Sequence, residues 1–198
     1  MLAIEKRLEL DGETVNLVRE KVTLELGAVG RGLFTVRGLE GPPGNVPVSF
    51  VAGLQGQGQV LPVLVGVVAE SALTGQNEWL LTVLEPSALL KLPATFALRH
   101  CTPRDVLAAI EAQTGLAFLL PAAGEYLTRR LPHYVAAGTC RAALEAMGQA
   151  WGVSDAVWSG LTDGRVYWGS WASGPWGIEP VGIDPALIVS REERAIVL

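Results

Sequence analysis

The sequence predicts a β + α/β fold: a small antiparallel β-barrel or sandwich comes first, and a small α/β domain with two helices on one sheet follows. Three observations lead to this prediction. Apolar residues alternate with period two up to about residue 86, the sequence pattern changes at Glu85, and one helix pattern then occurs twice. The 198 residues suffice for one large domain or two small ones with a real core.

The first strands are indicated by alternation on both sides of a turn. Even positions of residues 2–10 are mostly apolar, and Asp11-Gly12, a dipeptide typical of β-hairpin turns, follows them. The alternation resumes over residues 15–26. Further strands are predicted at residues 33–36, 46–51, 60–68 and 79–84. Seven or so short strands with turn signals are typical of a small barrel or sandwich.

Two glycine-rich stretches are predicted to lie outside the ladders. Residues 41–45 combine two prolines with two glycines, so they must form a loop. Residues 53–59 alternate glycine with glutamine, but they lack the Gly-Lys-Ser/Thr ending of a phosphate-binding loop. We interpret the second stretch as a flexible hairpin tip.

The helices are predicted from their capping residues. Thr102 is a favourable N-cap, Pro103 suits the first helical position, Asp105 completes a capping box, and Gly115 ends the helix. The pattern returns 37 residues later, which predicts helices over residues 103–114 and 140–151. Flanking strands are predicted at residues 96–100, 131–136, 155–158 and 165–171. The domain boundaries expected from these elements are 1–90 for the barrel, 91–173 for the α/β domain and 174–198 for a C-terminal extension.

The composition limits the classes of function that this protein can have. A net charge of −5 without a run of basic residues gives poor support for nucleic-acid binding. Residues 60–69 form the longest apolar stretch, which is too short for a bilayer span, and the N-terminus does not resemble a signal peptide. We therefore expect synthesis in the cytoplasm and no membrane insertion. The low charged content of 18%, with 23 glycines and 12 prolines, favours a subunit of an assembly.

A search for catalytic motifs gives no candidate. Cys101 and Cys140 are expected to be small buried residues beside helix starts, and His100 and His133 lack metal-ligand spacing. There is no Gly-x-Ser-x-Gly motif. A glycosidase-type carboxylate pair remains open, although most glutamates fall at solvated positions. We predict no catalytic residue, no metal and no cofactor.

Five of the six tryptophans lie within residues 151–176. They are consistent with sugar stacking or with a core and a subunit interface. Trp168 and Trp171 would lie on opposite faces of an ideal strand, which favours core and interface. The apolar tail at residues 186–198 is expected to pair with its own sheet or with a neighbouring subunit.

Three segments resemble the hub proteins of phage tail baseplates and related contractile injection systems. They are residues 79–85, the run 98–116 with its Thr-x-Arg-Asp-Val-Leu motif, and residues 139–144. The similarity covers about residues 30–171. It implies a barrel, a trimeric ring whose barrels meet the tail tube, and a lower face for the spike. The family usually has two barrels and this chain has room for one, which implies a shortened or split hub.

The resemblance implies a non-enzymatic structural subunit of the virion tail. Its implied partners are two further copies of itself in a homotrimer and the tail tube, tape-measure or spike proteins. Two alternatives stay open: a tail-tip module that binds cell-surface glycan, and a ring-building domain like those of periplasmic secretins, which residues 96–171 also resemble. The candidate interface residues are Leu33, Phe34, Val36, Trp168, Trp171, Trp176, Ile188, Ile196 and Leu198.

Overall fold

The first six strands form a closed antiparallel barrel. The computed structural model describes residues 4–54, 60–176, 190–192 and 195–197. The barrel strands are β1 (Ile4–Leu10), β2 (Glu13–Thr23), β3 (Arg31–Arg37), β4 (Pro47–Leu54), β5 (Val60–Gly75) and β6 (Glu78–Leu84). Their order around the barrel is β1-β2-β3-β6-β5-β4.

Closure of the barrel depends on the pairing of β1 with β4. These strands run antiparallel from the pair Ile4–Leu54 to the pair Leu10–Val48, while β1 also pairs with β2. The sheet therefore has no free edge among these six strands. The choice between barrel and sandwich, which alternation alone leaves open, is settled in favour of the barrel.

The barrel interior is filled by alternate residues of the strands, because successive side chains point to opposite faces. Phe34 and Phe50 meet near its centre, with ring centroids 5.1 Å apart. The fully or nearly buried residues of this core are Leu8, Leu10, Phe34, Val36, Val48, Phe50, Leu64, Val68, Leu81 and Val83.

The connections between the strands agree with the turn signals in part. Asp11 and Gly12 have φ of 51° and 81°, as a type I′ hairpin turn requires. The register pair Gly53–Val60 shows that the second glycine-rich stretch connects adjacent antiparallel strands, although residues 55–59 lie outside the described residues. The strand predicted to continue to residue 26 ends at Thr23, and residues 24–30 form an irregular loop.

The second half of the chain carries both predicted helices within their predicted bounds. After a 3-10 turn at Pro86–Lys91, the elements are β7 (Pro93–Cys101), α1 (Pro103–Thr114), β8 (Phe118–Leu119), β9 (Leu131–Thr139), α2 (Cys140–Trp151), β10 (Ala156–Gly160) and β11 (Val166–Ser170). β7 pairs antiparallel with β9, and a second small sheet has the order β10-β11-β8. The predicted class, a barrel followed by two helices with small-sheet strands, is confirmed, and the strands around the helices pair in these two groups.

Both helices begin and end as their capping residues predict. At the start of α1, the backbone N–H and the hydroxyl of Thr102 both donate to Asp105 Oδ2 at 2.8 Å. This bonding lowers the pKa of Asp105. Thr139 Oγ1 accepts from the Ala142 N–H at 3.1 Å at the start of α2. Both helices end at glycines with positive φ, Gly115 and Gly152.

A second core lies between the helices and their sheets. Two of its tryptophans are buried with their indole N–H groups satisfied: Trp151 donates to the Arg129 carbonyl at 2.8 Å, and Trp168 donates to the Leu144 carbonyl at 3.1 Å. Leu90 belongs to this core rather than to the barrel core. Two separate cores are consistent with two domains, and the boundary at residue 90 stays a prediction.

The C-terminal tail contributes a short antiparallel pair in its described part. β12 (Ser190–Glu192) pairs with β13 (Ala195–Val197). Residues 186–189 of the predicted apolar tail lie outside the described residues. Pairing of this tail with a neighbouring subunit stays a prediction.

Candidate interaction surfaces

The barrel and the second half of the chain meet around a buried carboxylate. Glu85 follows β6, is 8% exposed, and accepts hydrogen bonds from the Gly30 N–H at 2.9 Å and the Ser87 hydroxyl at 3.3 Å. Burial raises the pKa of Glu85, while these two hydrogen bonds lower it in part. The carboxylate therefore holds the loop before β3 against the segment that leaves the barrel.

Two glycines make room for this carboxylate. A Cβ at Gly30 would overlap the carboxyl carbon of Glu85, and a Cβ at Gly160 would overlap its Oε2. Gly160 ends β10, so the carboxylate is enclosed by the barrel loop on one side and by the second half of the chain on the other. Neither glycine tolerates a side chain unless Glu85 moves.

A groove opens beside this junction, between the loop at residues 24–30 and the second core. The Gly27 N–H donates to the Trp158 carbonyl at 2.9 Å, which fixes the loop along β10. The groove has a volume of about 290 Å³. Its lining residues are Leu26, Gly27, Leu144, Glu145, Ala156, Val157, Trp158 and Trp168.

A concavity of about 460 Å³ lies on the outer wall of the barrel, across β2, β3, β5 and β6. Leu33 and Leu80 line it, and Val18, which is 47% exposed at a bulge of β2, stands at its side. Its lining includes both acidic and basic residues. An apolar floor with mixed charges around it is typical of a protein-binding surface.

An aromatic group lies at the end of β11. Trp171 stacks on Trp176 with ring centroids 4.5 Å apart, and Tyr167 meets Trp176 edge-on at 5.0 Å. Trp171 is 46% exposed, whereas Tyr167 is buried, which raises its pKa to about 12. Trp171 lies in a 3-10 turn after the strand, not within it as predicted.

The structure divides the candidate interface residues between surface and core. Leu33 is half-buried on the outer wall of the barrel, Trp176 is half-buried, and Trp171 is exposed. Ile196 lies in β13, and Ile188 and Leu198 lie outside the described residues.

Three candidates are core residues instead. Phe34 and Val36 have no exposed surface inside the barrel, and Trp168 is 1% exposed in the second core. The same chain covers nearly all of each side chain, so they offer almost no surface to another subunit, although Trp168 borders the groove at its buried edge. Phe34 and Val36 differ from Leu33 in a way that the sequence shows: they occupy even-numbered positions of β3, and these positions face the interior of the barrel.

The two cysteines among the described residues are buried and have no metal partner group. Cys101 and Cys140 are both buried free thiols, as expected, and burial raises the pKa of each. In the part of the chain that the structure describes, no three His, Cys, Asp or Glu side chains are grouped as a metal site would require. Neither helix in that part has the length and apolar character needed to cross a bilayer.

Comparison with known proteins begins with sequence. No protein-family model matches the chain. Over 191 residues, 96% of its length, the chain is 27% identical to an uncharacterised 58.7 kDa protein in the lys 3′ region of Haemophilus phage HP1. The chain spans 35% of the length of that phage relative.

Two solved structures with the same fold are described as tail proteins. A tail protein from Neisseria meningitidis MC58 matches with a TM-score of 0.65 at 16% identity, over 95% of this chain and 58% of that one. The 43 kDa tail protein of prophage MuSo2 from Shewanella oneidensis matches with a TM-score of 0.61 at 12% identity, over 84% of this chain and 53% of its own.

A component of the E. coli type VI secretion system has the same fold. It is described as similar to the T4 phage tail proteins gp27 and gp5, and it matches with a TM-score of 0.58 at 16% identity, over 82% of this chain and 48% of that one. The barrel with its two-helix companion therefore has the same fold as these three solved proteins. The resemblance predicted from the sequence is confirmed at the level of the fold.

Proposed function

We propose that this chain is a non-enzymatic structural subunit of a phage tail hub, which joins the tail tube to the tip or spike. The observation that carries the proposal is the shared order of parts. A closed six-stranded barrel leads directly into two capped helices on small sheets, and this order is matched over 95% of the chain by a tail protein.

The surfaces of the chain support an assembling role. The outer wall of the barrel has a concave apolar floor at Leu33 and Leu80, and the end of β11 presents the exposed Trp171. We propose that the barrel wall contacts a neighbouring subunit or the tail tube. The aromatic group would then contact the tip, because aromatic residues are enriched at protein interfaces.

The assembly we propose is a homotrimer whose ring is completed by further polypeptide. The chain spans about half of the solved tail proteins that share its fold. The one barrel among the described residues would supply three barrels to a trimeric ring. A second polypeptide or a second segment would supply the remaining barrels of the ring, as the shortened or split hub requires.

Solution mass tests this proposal directly. Light scattering on a size-exclusion column, across a tenfold dilution series, is expected to give three times the 21.0 kDa of one chain. Leu33→Glu should reduce that mass to one chain, because it places a charge on the apolar wall. Leu61→Glu is the matched control, since Leu61 is a 64% exposed leucine on β5. A monomer at every dilution would contradict the self-assembling trimer.

A further inference from the structure

The sheet formed by β7 and β9 has one face that no described part of the chain covers. Along β9, Tyr134 and Ala136 are buried in the second core, whereas Val135 between them is 71% exposed. Val135 is the most exposed large apolar side chain among the described residues. Ala97, which lies opposite Val135 on β7, is exposed as well. The outer side of this sheet is therefore open to solvent in a single chain.

Basic side chains lie at one end of this outer side. Arg99 on β7 is opposite His133 on β9, and both are exposed. Arg99 and Val135 are diagonal neighbours across the two strands, about 7–8 Å apart. Arg130, which precedes β9, donates from Nη1 to the His100 carbonyl at 3.2 Å, so its guanidinium lies at the same end. This open face, formed by residues 97, 99, 133 and 135, combines an apolar centre with a basic end.

The positive charge at this end is not neutralised within the described part of the chain. Hydrogen bonds from Thr102 are the main cause of the low pKa of Asp105, and the charges of Arg130 and Arg104 lower it further, which places both guanidinium groups near this carboxylate. None of the ion pairs between described residues includes Arg99, Arg104 or Arg130. The open face is therefore complementary to an acidic surface that also carries apolar side chains.

A surface of that kind lies in the barrel half of the same chain. Residues 1–90 contain ten acidic and six basic residues, whereas residues 91–176 contain six acidic and seven basic ones. In the loop after β2, the exposed Glu25 lies between Leu24 and Leu26, which are 51% and 52% exposed. Glu25 belongs to no ion pair between described residues. In that part of the chain, this is the one place where a carboxylate separates two such exposed leucines.

Within one chain these two surfaces do not meet. The Gly27 N–H donates to the Trp158 carbonyl at 2.9 Å, which holds the loop along β10, a strand of the other small sheet. The open face points away from the core that both small sheets share. Since Leu24, Leu26 and Val135 all remain exposed, a second copy of the chain supplies to each surface what it lacks.

We propose that residues 24–26 of one copy dock on the open face of β7 and β9 in a second copy. Glu25 pairs with Arg99 of that copy, and a leucine beside it packs on Val135. Because the two surfaces differ, the contact is head-to-tail, and such contacts close into a ring when the rotation between copies allows it. The inference rests on the proposed homotrimer and names residues that hold its copies together.

Exchange of the two charges tests the contact on the full chain. Arg99→Glu and Glu25→Arg should each raise the concentration at which the trimer dissociates by about tenfold or more, because each variant places like charges in contact. The variant with both changes should return to the wild-type value, since the pair forms again with its charges exchanged. Light scattering across a dilution series measures the change. Lys91→Glu and Glu111→Arg are the matched controls, at exposed residues outside both surfaces.

A disulfide between copies tests the same contact without dilution. The variant that carries both Leu24→Cys and Val135→Cys should form covalent dimers and trimers on oxidation, and each single variant should stay one chain on a non-reducing gel. The native Cys101 and Cys140 are buried, so they do not compete. Leu61→Cys combined with Val135→Cys is the control, because Leu61 is equally exposed but lies on β5.

The outcomes separate this inference from the proposed hub role. A wild-type trimer that is unaffected by both single charge reversals would overturn the inference and leave the homotrimer in place. Weakening that the double charge variant does not reverse would overturn it too, because the two residues would then not be paired. The same holds if the double cysteine variant gives no covalent dimer. A wild-type monomer at every dilution would contradict both proposals.

Discussion

Glu85 and Gly30 are joined by two hydrogen bonds. The Gly30 N–H donates to Glu85 Oε2 at 2.9 Å, and the Glu85 N–H donates to the Gly30 carbonyl at 3.1 Å. Gly160, from the second half of the chain, closes the other side of the same carboxylate. A single buried acid therefore connects a barrel loop, the exit from the barrel and the end of β10.

Gly160→Ala is expected to destabilise the chain by about 1–3 kcal/mol, the usual cost of inserting a methyl group into a filled site. The added Cβ would overlap Glu85 Oε2. Urea unfolding followed by tryptophan fluorescence measures the change. Gly41→Ala is the control, because a Cβ at Gly41 meets no atom within 4 Å. Equal midpoints for the two variants would contradict the tight packing at Glu85.

Glu85→Gln is expected to change how stability depends on pH. Burial raises the pKa of Glu85 above the ordinary value of 4.5, so the folded chain binds this proton more tightly than the unfolded chain. Its contribution to stability is complete below pH 4.5 and is lost as the pH rises through the raised pKa. The glutamine variant lacks that loss, because its amide does not ionise.

Urea unfolding at a series of pH values from 4.5 upward measures this difference. The exposed Glu111 supplies the matched control, Glu111→Gln, which should keep the wild-type pH dependence. If the plots of unfolding free energy against pH are parallel for wild type and Glu85→Gln, the buried carboxyl is not the group whose titration changes the stability.

Leu33 and Phe34 are adjacent in sequence and should respond differently to truncation. Phe34→Ala removes a fully buried ring from the barrel core and is expected to cost about 3–5 kcal/mol of unfolding free energy. Leu33→Ala should cost about 1 kcal/mol or less, because its side chain lies on the outer wall. Chemical unfolding of both variants, at a concentration where each is monomeric, checks the contrast.

The two thiols should resist alkylation in the folded chain. Cys101 and Cys140 are 2% and 0% exposed, and burial raises the pKa of both. Iodoacetamide at pH 8 is expected to react at the rate of unfolding, with both thiols modified in denaturant. Mass spectrometry over time measures the rate. Modification of one cysteine faster than unfolding would show that its surroundings open locally.

Oligosaccharide is expected to leave the tryptophan fluorescence unchanged at millimolar concentration. One face of Trp171 is covered by Trp176, and the nearby Asp155 Oδ2 already accepts from the Ser170 hydroxyl at 2.6 Å and the Ala172 N–H at 3.3 Å. One ring face and one carboxylate oxygen that a sugar could use are therefore already engaged within the chain. A saturable change in wild type that is lost in Trp171→Ala would favour the glycan-binding alternative instead.

Local chemistry allowed the helices to be predicted closely. The N-caps Thr102 and Thr139 and the glycines after each helix act within one turn of the chain, so their effect does not depend on the rest of the fold. The Asp11-Gly12 turn is local for the same reason. Fold class, helix bounds and the buried cysteines are therefore determined by the sequence itself.

Tertiary structure decided how these elements close and which residues remain exposed. Closure of the barrel needs the pairing of β1 with β4, which lie far apart in sequence, and alternation is equally compatible with a sandwich. The tertiary structure also buries Phe34, Val36 and Trp168. It leaves Trp158 Nε1, which lies near Gly27, without a hydrogen-bond partner. These features depend on contacts between distant segments, and a periodic pattern along one strand does not specify its neighbours.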